Sequence, residues 1–151
     1  MEASRLQTIE ILAGDGNLDE LTKLLAPGYN QLEIDIALEN AIAYSQISTA
    51  GYLLSLGAKF SNHEYQGVYY AVHNNELKGL RFAISRGVDI NVNNGMLLNT
   101  SIETAINTKS VELVKWLLDN GANAKLLTKQ SLKLVEDFGS PELKIAINKA
   151  L

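Results

Sequence analysis

The sequence predicts an all-α fold, a solenoid of about five stacked helix-turn-helix units, on three observations. A thirteen-residue helical pattern closing on glycine recurs, ending at Gly28, Gly57, Gly87 and Gly121. The turn that opens it recurs at Gly16, Ser45, Asn75, Lys109 and Gly139, at intervals of 29, 30, 34 and 30 residues. A second apolar pattern precedes every one of those turns in the same register. A unit of that length cannot bury its apolar face alone, so a period of this size requires neighbours to stack.

The units fall at approximately 1–30, 31–60, 61–94, 95–124 and 125–151, one domain across 1–151. The first helix of each reads QTIEILAGDG, IALENAIAYS, QGVYYAVHNN, TSIETAINTK and QSLKLVEDFG. Ile9, Leu38, Val68, Ile102 and Leu132 form one apolar column. Leu12, Ala41, Ala71, Ala105 and Val135 follow three residues later and so lie on the same helical face. The second helix reads GNLDELTKLLAPG, SQISTAGYLLSLG, NELKGLRFAISRG, KSVELVKWLLDNG and GSPELKIAINKAL. The closing glycines suit a left-handed residue just past a helix C-terminus. Pro141 suits a first helical turn, where its missing N–H costs nothing. The first and last units are expected to be caps around three internal repeats.

Helix pairs closing on Gly57-Ala58, Gly87-Val88-Asp89-Ile90-Asn91 and Gly121-Ala122-Asn123-Ala124 resemble ankyrin repeats, and Thr100-Ser101-Ile102-Glu103-Thr104-Ala105 resembles that family's T-P-L-H-x-A opening. The resemblance spans nearly the whole chain and implies an ankyrin-like solenoid. The motif histidine is absent from every unit; its column holds Glu10, Glu39, Tyr69, Glu103 and Lys133. In the family that histidine ties a helix start to the neighbouring loop by hydrogen bonds, so here either a glutamate or tyrosine is expected to do so or the loops are looser. The family's projecting β-hairpins are expected to be short, except between Asn91 and Thr100, where NVNNGMLLN has the length for a longer one.

Composition narrows the function classes. The chain is 46 % hydrophobic and 20 % charged, within the globular range. A net charge of −4 has the wrong sign for gripping phosphate backbones, so no nucleic-acid partner is expected. With no cysteine there is no disulfide, thiol nucleophile or cysteine zinc site. No apolar run reaches membrane-spanning length and no signal segment is legible, so neither a membrane nor a secretory route is expected. A cytoplasmic location is the expectation, with export as an effector lacking a classical signal the alternative. Residues 1–40 hold eight acids and two bases, net −6, while the remainder holds nine and eleven, net +2. One end of the molecule is therefore acidic.

No catalytic, cofactor-binding or metal-ligating constellation is legible. Gly14-Asp15-Gly16 follows a helix and lacks the remainder of a phosphate loop. His63 and His73 have no companions at ligand spacing, so both read as polar surface residues. Glu10 and Glu39 stack in adjacent units, but the separation of packed helices, roughly 10 Å, is too long for a shared proton. They read instead as hydrogen-bond partners of loop amides. Tyr52, Phe82 and Trp116 occupy one position of consecutive second helices, either as inter-repeat packing or as a self-associating edge.

By analogy with the family, the concave face includes the two residues before each turn: Gly14 and Asp15, Ala43 and Tyr44, His73 and Asn74, Asn107 and Thr108, Asp137 and Phe138. Glu33, Asp35, His63, Tyr65, Met96 and Asn99 are added from the loop side. The expected partner-binding residues are Tyr44, Tyr65, His73, Asn74, Met96, Asn99, Asn107, Thr108, Asp137 and Phe138, which mix aromatic area with amide and acidic groups as protein interfaces do. The resemblance implies a non-enzymatic module, a monomer when unbound, that binds another protein as inhibitor, neutraliser or adaptor. The alternative is a structural protein that self-associates through the Tyr52/Phe82/Trp116 edge.

Overall fold

A computed structural model describes residues 4–151; Glu2, counted above among the acids, lies outside them. Among the described residues the chain is all-helical, with ten α-helices and no strand. They are α1 (Arg5–Asp15), α2 (Leu18–Leu25), α3 (Gln31–Ala43), α4 (Ile47–Ser55), α5 (Gln66–His73), α6 (Leu77–Ser85), α7 (Val92–Thr108), α8 (Glu112–Asp119), α9 (Lys129–Phe138) and α10 (Pro141–Ala150), with a 3-10 turn at Ala124–Leu126 before α9. Each odd-numbered helix packs on the even-numbered helix that follows it. The odd-numbered helices also pack on one another in series, α1 on α3, α3 on α5, α5 on α7 and α7 on α9.

Sequence chemistry sets the helix ends. Ser4 with Gln7, and Asn30 with Glu33, form reciprocal capping boxes on α1 and α3. Asn17, Thr128 and Ser140 cap α2, α9 and α10. At the C-termini of α4, α6 and α8 the residue after the closing glycine donates its N–H five residues back, Ala58 to Leu53, Val88 to Ala83 and Ala122 to Leu117. Gly57, Gly87 and Gly121 take φ of 97°, 101° and 103° to permit this. Within the pairs, Ser45, Asn75 and Lys109 take the same left-handed conformation without being glycine. Gly139 does not, since Ser140 and Pro141 start α10 directly from an extended residue.

The core is one continuous apolar cluster to which every α-helix contributes. Ile9, Leu38, Val68 and Ile102 are buried, as are Leu21, Leu53, Leu80, Leu113 and Leu143 from the second helices. Two column members depart. Ala13 is buried while Leu12 is half-buried, and in α9 Ser131 and Val135 are buried while Leu132 is only half-buried. The hydroxyls of Thr128 and Ser131 bond each other at the α9 cap, which turns Ser131 inward and Leu132 toward the edge. Gly67 sets a close helix approach: a Cβ there would sit 2.7 Å from the Glu39 Cα, so only glycine lets α5 lie against α3.

The longer hairpin expected between Asn91 and Thr100 is not formed. That segment belongs to α7, interrupted by a left-handed run at Asn93, Asn94 and Gly95 with φ of 53°, 57° and 87°. The asparagine-rich stretch that suits a hairpin turn suits such a run equally, and MLLN continues as helix. A matching run, His63, Glu64 and Tyr65 with φ of 49°, 53° and 65°, precedes α5 thirty residues earlier. Asn93 Nδ2 donates to Glu64 O at 2.9 Å, joining the two runs.

Candidate functional site

Polar side chains stitch adjacent pairs together, and they decide which residues remain free. Arg5 donates to Gly28 O, Gln31 to Gly57 O and Asn91 to Gly121 O, so the loop that closes a helix pair is held from the start of that pair's own first helix. At the opposite end of the helices Gln46 donates to Gly14 O, Asn74 to Ala43 O and the buried Thr104 hydroxyl to Val72 O. Asp35, almost fully buried, accepts from the Lys59 N–H at 2.7 Å and from Gln31 at 2.8 Å.

Between these two lines of stitching a hollow of about 490 Å³ opens on α1, α3, α5 and the loop before α5. Its lining includes Glu10, Glu39, Asn40, Tyr44, Tyr70 and His73. A smaller hollow, against Glu10, Ile11, Gly14, Asp15 and Asn40, shares Tyr44 as its wall. The Tyr44 ring stands there because Gly14 has no side chain; a Cβ on Gly14 would come within 3.2 Å of Cδ2. Tyr44 is 52 % exposed and Tyr70 is 42 % exposed, so both rings offer apolar area to the outside. Tyr70 meets Tyr69 edge to face at 5.1 Å, and Tyr69 in turn stacks on His73.

Glu39 is the chemical centre of the hollow. It is 8 % exposed, and its Oε1 accepts from Asn62 Nδ2 at 2.6 Å and from His63 Nδ1 at 2.9 Å. Facing a carboxylate oxygen, Nδ1 must carry the proton, which fixes the tautomer of a neutral His63. Burial pushes the Glu39 carboxyl above the usual glutamate range, against the opposing pull of Asn62 and His63. Glu39 thus links its helix to the following loop, as expected of the column that lacks its histidine, but it reaches side chains in that loop and not backbone N–H groups. His63 is exposed, in keeping with its reading as a polar surface residue, and its ring also bonds Glu39.

The ten expected partner-binding residues divide. Tyr44, His73 and Asn74 meet in the main hollow. Asn107 and the 67 % exposed Phe138 line a separate hollow between α7 and α9, with Glu103, Ile106 and Leu134. Thr108 is exposed with its hydroxyl turned onto Thr104 O, and Asp137 is paired with Lys133. Tyr65 lines a different depression with Phe60 and Arg86, and Met96 is half-buried against the core. Asn99 is held from both ends: its Nδ2 donates to Gly95 O and Leu126 O, and its Oδ1 accepts from the Thr128 N–H. Asn99 therefore fastens the 126–128 loop onto α7.

Asn40 and Tyr70 were missed. They lie three or four residues before Tyr44 and His73, one helical turn back on the same face, so extending the two-residue positions by i−4 and i−3 finds them. Tyr52, Phe82 and Trp116 are half-buried and packed against the core. The Arg86 guanidinium lies over the Phe82 ring at 4.8 Å.

The class thus defined is an all-helical chain of paired helices carrying a polar hollow with exposed aromatic walls. No family model matches the chain. Over 78 residues, 52 % of this chain, it is 30 % identical to the BRCA1-associated RING domain protein 1 of Caenorhabditis elegans. The match takes in 11 % of that protein's length. No helix among the described residues is long and apolar enough to cross a membrane.

Proposed function

We propose that the chain is a divergent ankyrin-like solenoid and a non-enzymatic protein-binding module whose α1/α3/α5 hollow docks a partner protein, as inhibitor, neutraliser or adaptor. The carrying observation is the pairing of two half-exposed tyrosines, Tyr44 and Tyr70, with acceptor groups recessed between them. Rigid aromatic area around desolvated polar groups is the composition of interface hot spots. Serial packing of the odd-numbered helices and the recurring glycine-closed helix ends support the solenoid reading. Self-association through Tyr52, Phe82 and Trp116 is the weaker reading, because those rings are half-buried against the core.

The test is capture from the native source's lysate by the immobilised chain, alongside a Tyr44→Ala/His73→Ala variant of unchanged helicity, with bound proteins identified by mass spectrometry. A protein retained by the wild type alone is the expected result. Equal retention by both would reject the hollow as the interface, and no retention by either would reject the module.

A further inference from the structure

The hollow carries several acceptors that have no partner of their own. Asn40 uses one of its two amide N–H groups on Ile36 O, and Asn74 one of its two on Ala43 O. Among the described residues the oxygens of both amides accept no hydrogen bond. The same holds for Glu39 Oε2, although the Glu39 side chain is nine-tenths buried and its other oxygen is doubly bonded. In a neutral His63 whose Nδ1 donates to Glu39, Nε2 is an acceptor as well. Glu10 adds a second carboxylate from α1, and neither hollow that Tyr44 divides is lined by a lysine or arginine.

We propose that this hollow receives an arginine side chain of the partner protein, its guanidinium stacked on Tyr44 or Tyr70 and its N–H groups shared between Glu39 Oε2 and the Asn40 and Asn74 oxygens. The assignment rests on the protein-binding reading above and deepens it. Guanidinium is the one side-chain group with five donors, no acceptor, permanent charge and a flat face for a tyrosine ring. A lysine ammonium meets the charge but neither the plane nor the spread of acceptors. The net −6 of residues 1–40 would draw a basic segment toward the same end of the molecule. The titratable groups facing Glu39 are Glu10 from α1, Asp35 on α3, His63 from the loop and His73 from α5.

The probe is a blocked peptide, Gly-Ser-Arg-Ser-Gly, titrated into the 15N-labelled full chain and followed by amide shifts. Its citrulline and lysine counterparts serve as the neutral isostere and the point charge. Saturable shifts centred on Glu39, Asn40, Tyr44 and Tyr70 are expected. Citrulline should bind about tenfold more weakly, as should Glu39→Gln tested with the arginine peptide, the loss typical of a charge-assisted hydrogen bond. Glu10→Gln and Tyr44→Leu, both at the accessible rim, give the same test should Glu39→Gln perturb folding. Citrulline binding as well as arginine, lysine binding as well as arginine, shifts elsewhere on the surface, or no saturable shift at millimolar peptide would each overturn the assignment. Such a failure leaves the protein-binding reading intact, since that reading stands on lysate capture, with or without a basic anchor.

Discussion

Two glutamates on α3 act on stability in opposite directions. The Arg5 guanidinium, which bonds the Glu33 carboxylate, together with the Asn30 N–H, holds Glu33 below the usual carboxylate range. Its contribution is complete above the ordinary glutamate pKa and is lost as pH falls through the lowered value. Glu39 is raised by burial, so the folded chain keeps a proton that the unfolded chain releases. Stability from that source is present at low pH and declines as pH rises from the ordinary glutamate value through the raised one. Urea unfolding across the acid range should therefore show Glu33→Gln with a smaller loss toward acid than wild type, and Glu39→Gln without the decline on the rising side. Identical profiles for wild type and both variants would contradict these environments. Gly67 gives a steric prediction at the same scale. Gly67→Ala drives a methyl into the Glu39 backbone and should cost at least the 1–3 kcal/mol typical of overpacking. A loss below about 0.5 kcal/mol in urea unfolding, the range of surface changes, would mean that α5 and α3 are not in contact there.

Between helices, two left-handed runs hold the loops, and they carry strain in five residues that are not glycine. Each such residue costs roughly 1–2 kcal/mol over right-handed backbone. Glu64 is exposed and bonds only through its carbonyl, so Glu64→Gly should raise stability by about 0.5–1 kcal/mol in spite of the added unfolded-state entropy. A lower melting temperature in that variant would argue against the run. Asn99→Ala should cost about 1–3 kcal/mol, because it frees a carbonyl and an N–H of the 126–128 loop together. Trp116→Ala, at a half-buried site, should fall short of the 3–5 kcal/mol of a fully buried aromatic. Helix existence and the glycine stops were legible because they depend on neighbours a few residues away. The segment from Asn91 to Asn99 was not, since Asn-Asn-Gly serves a hairpin and a left-handed run alike and only packing against Leu126 chooses.

Across the molecule, long-range hydrogen bonds separate what binds from what fastens. Asn99, Asn74 and Asn107 are equivalent in composition, yet Asn99 is consumed by the fold, Asn74 is half consumed and Asn107 is free to face outward. Nothing in a single sequence marks that difference, because the bonds to Leu126, Thr128 and Ala43 reach 27 or more residues along the chain. Tyr44 and His73 were legible as a shared surface through the family resemblance, which puts the residues before each turn on one face, whereas Glu39 was legible only as a partner for loop amides and its bonds to the Asn62 and His63 side chains were not. The proposed interface is most directly tested by photo-crosslinking. Benzoylphenylalanine placed at Tyr44 in the hollow should yield a crosslinked partner polypeptide in native lysate, while the same residue at Tyr52 on the second-helix edge should yield none. Crosslinking from position 52 alone, or equally from both, would contradict the α1/α3/α5 hollow as the binding surface.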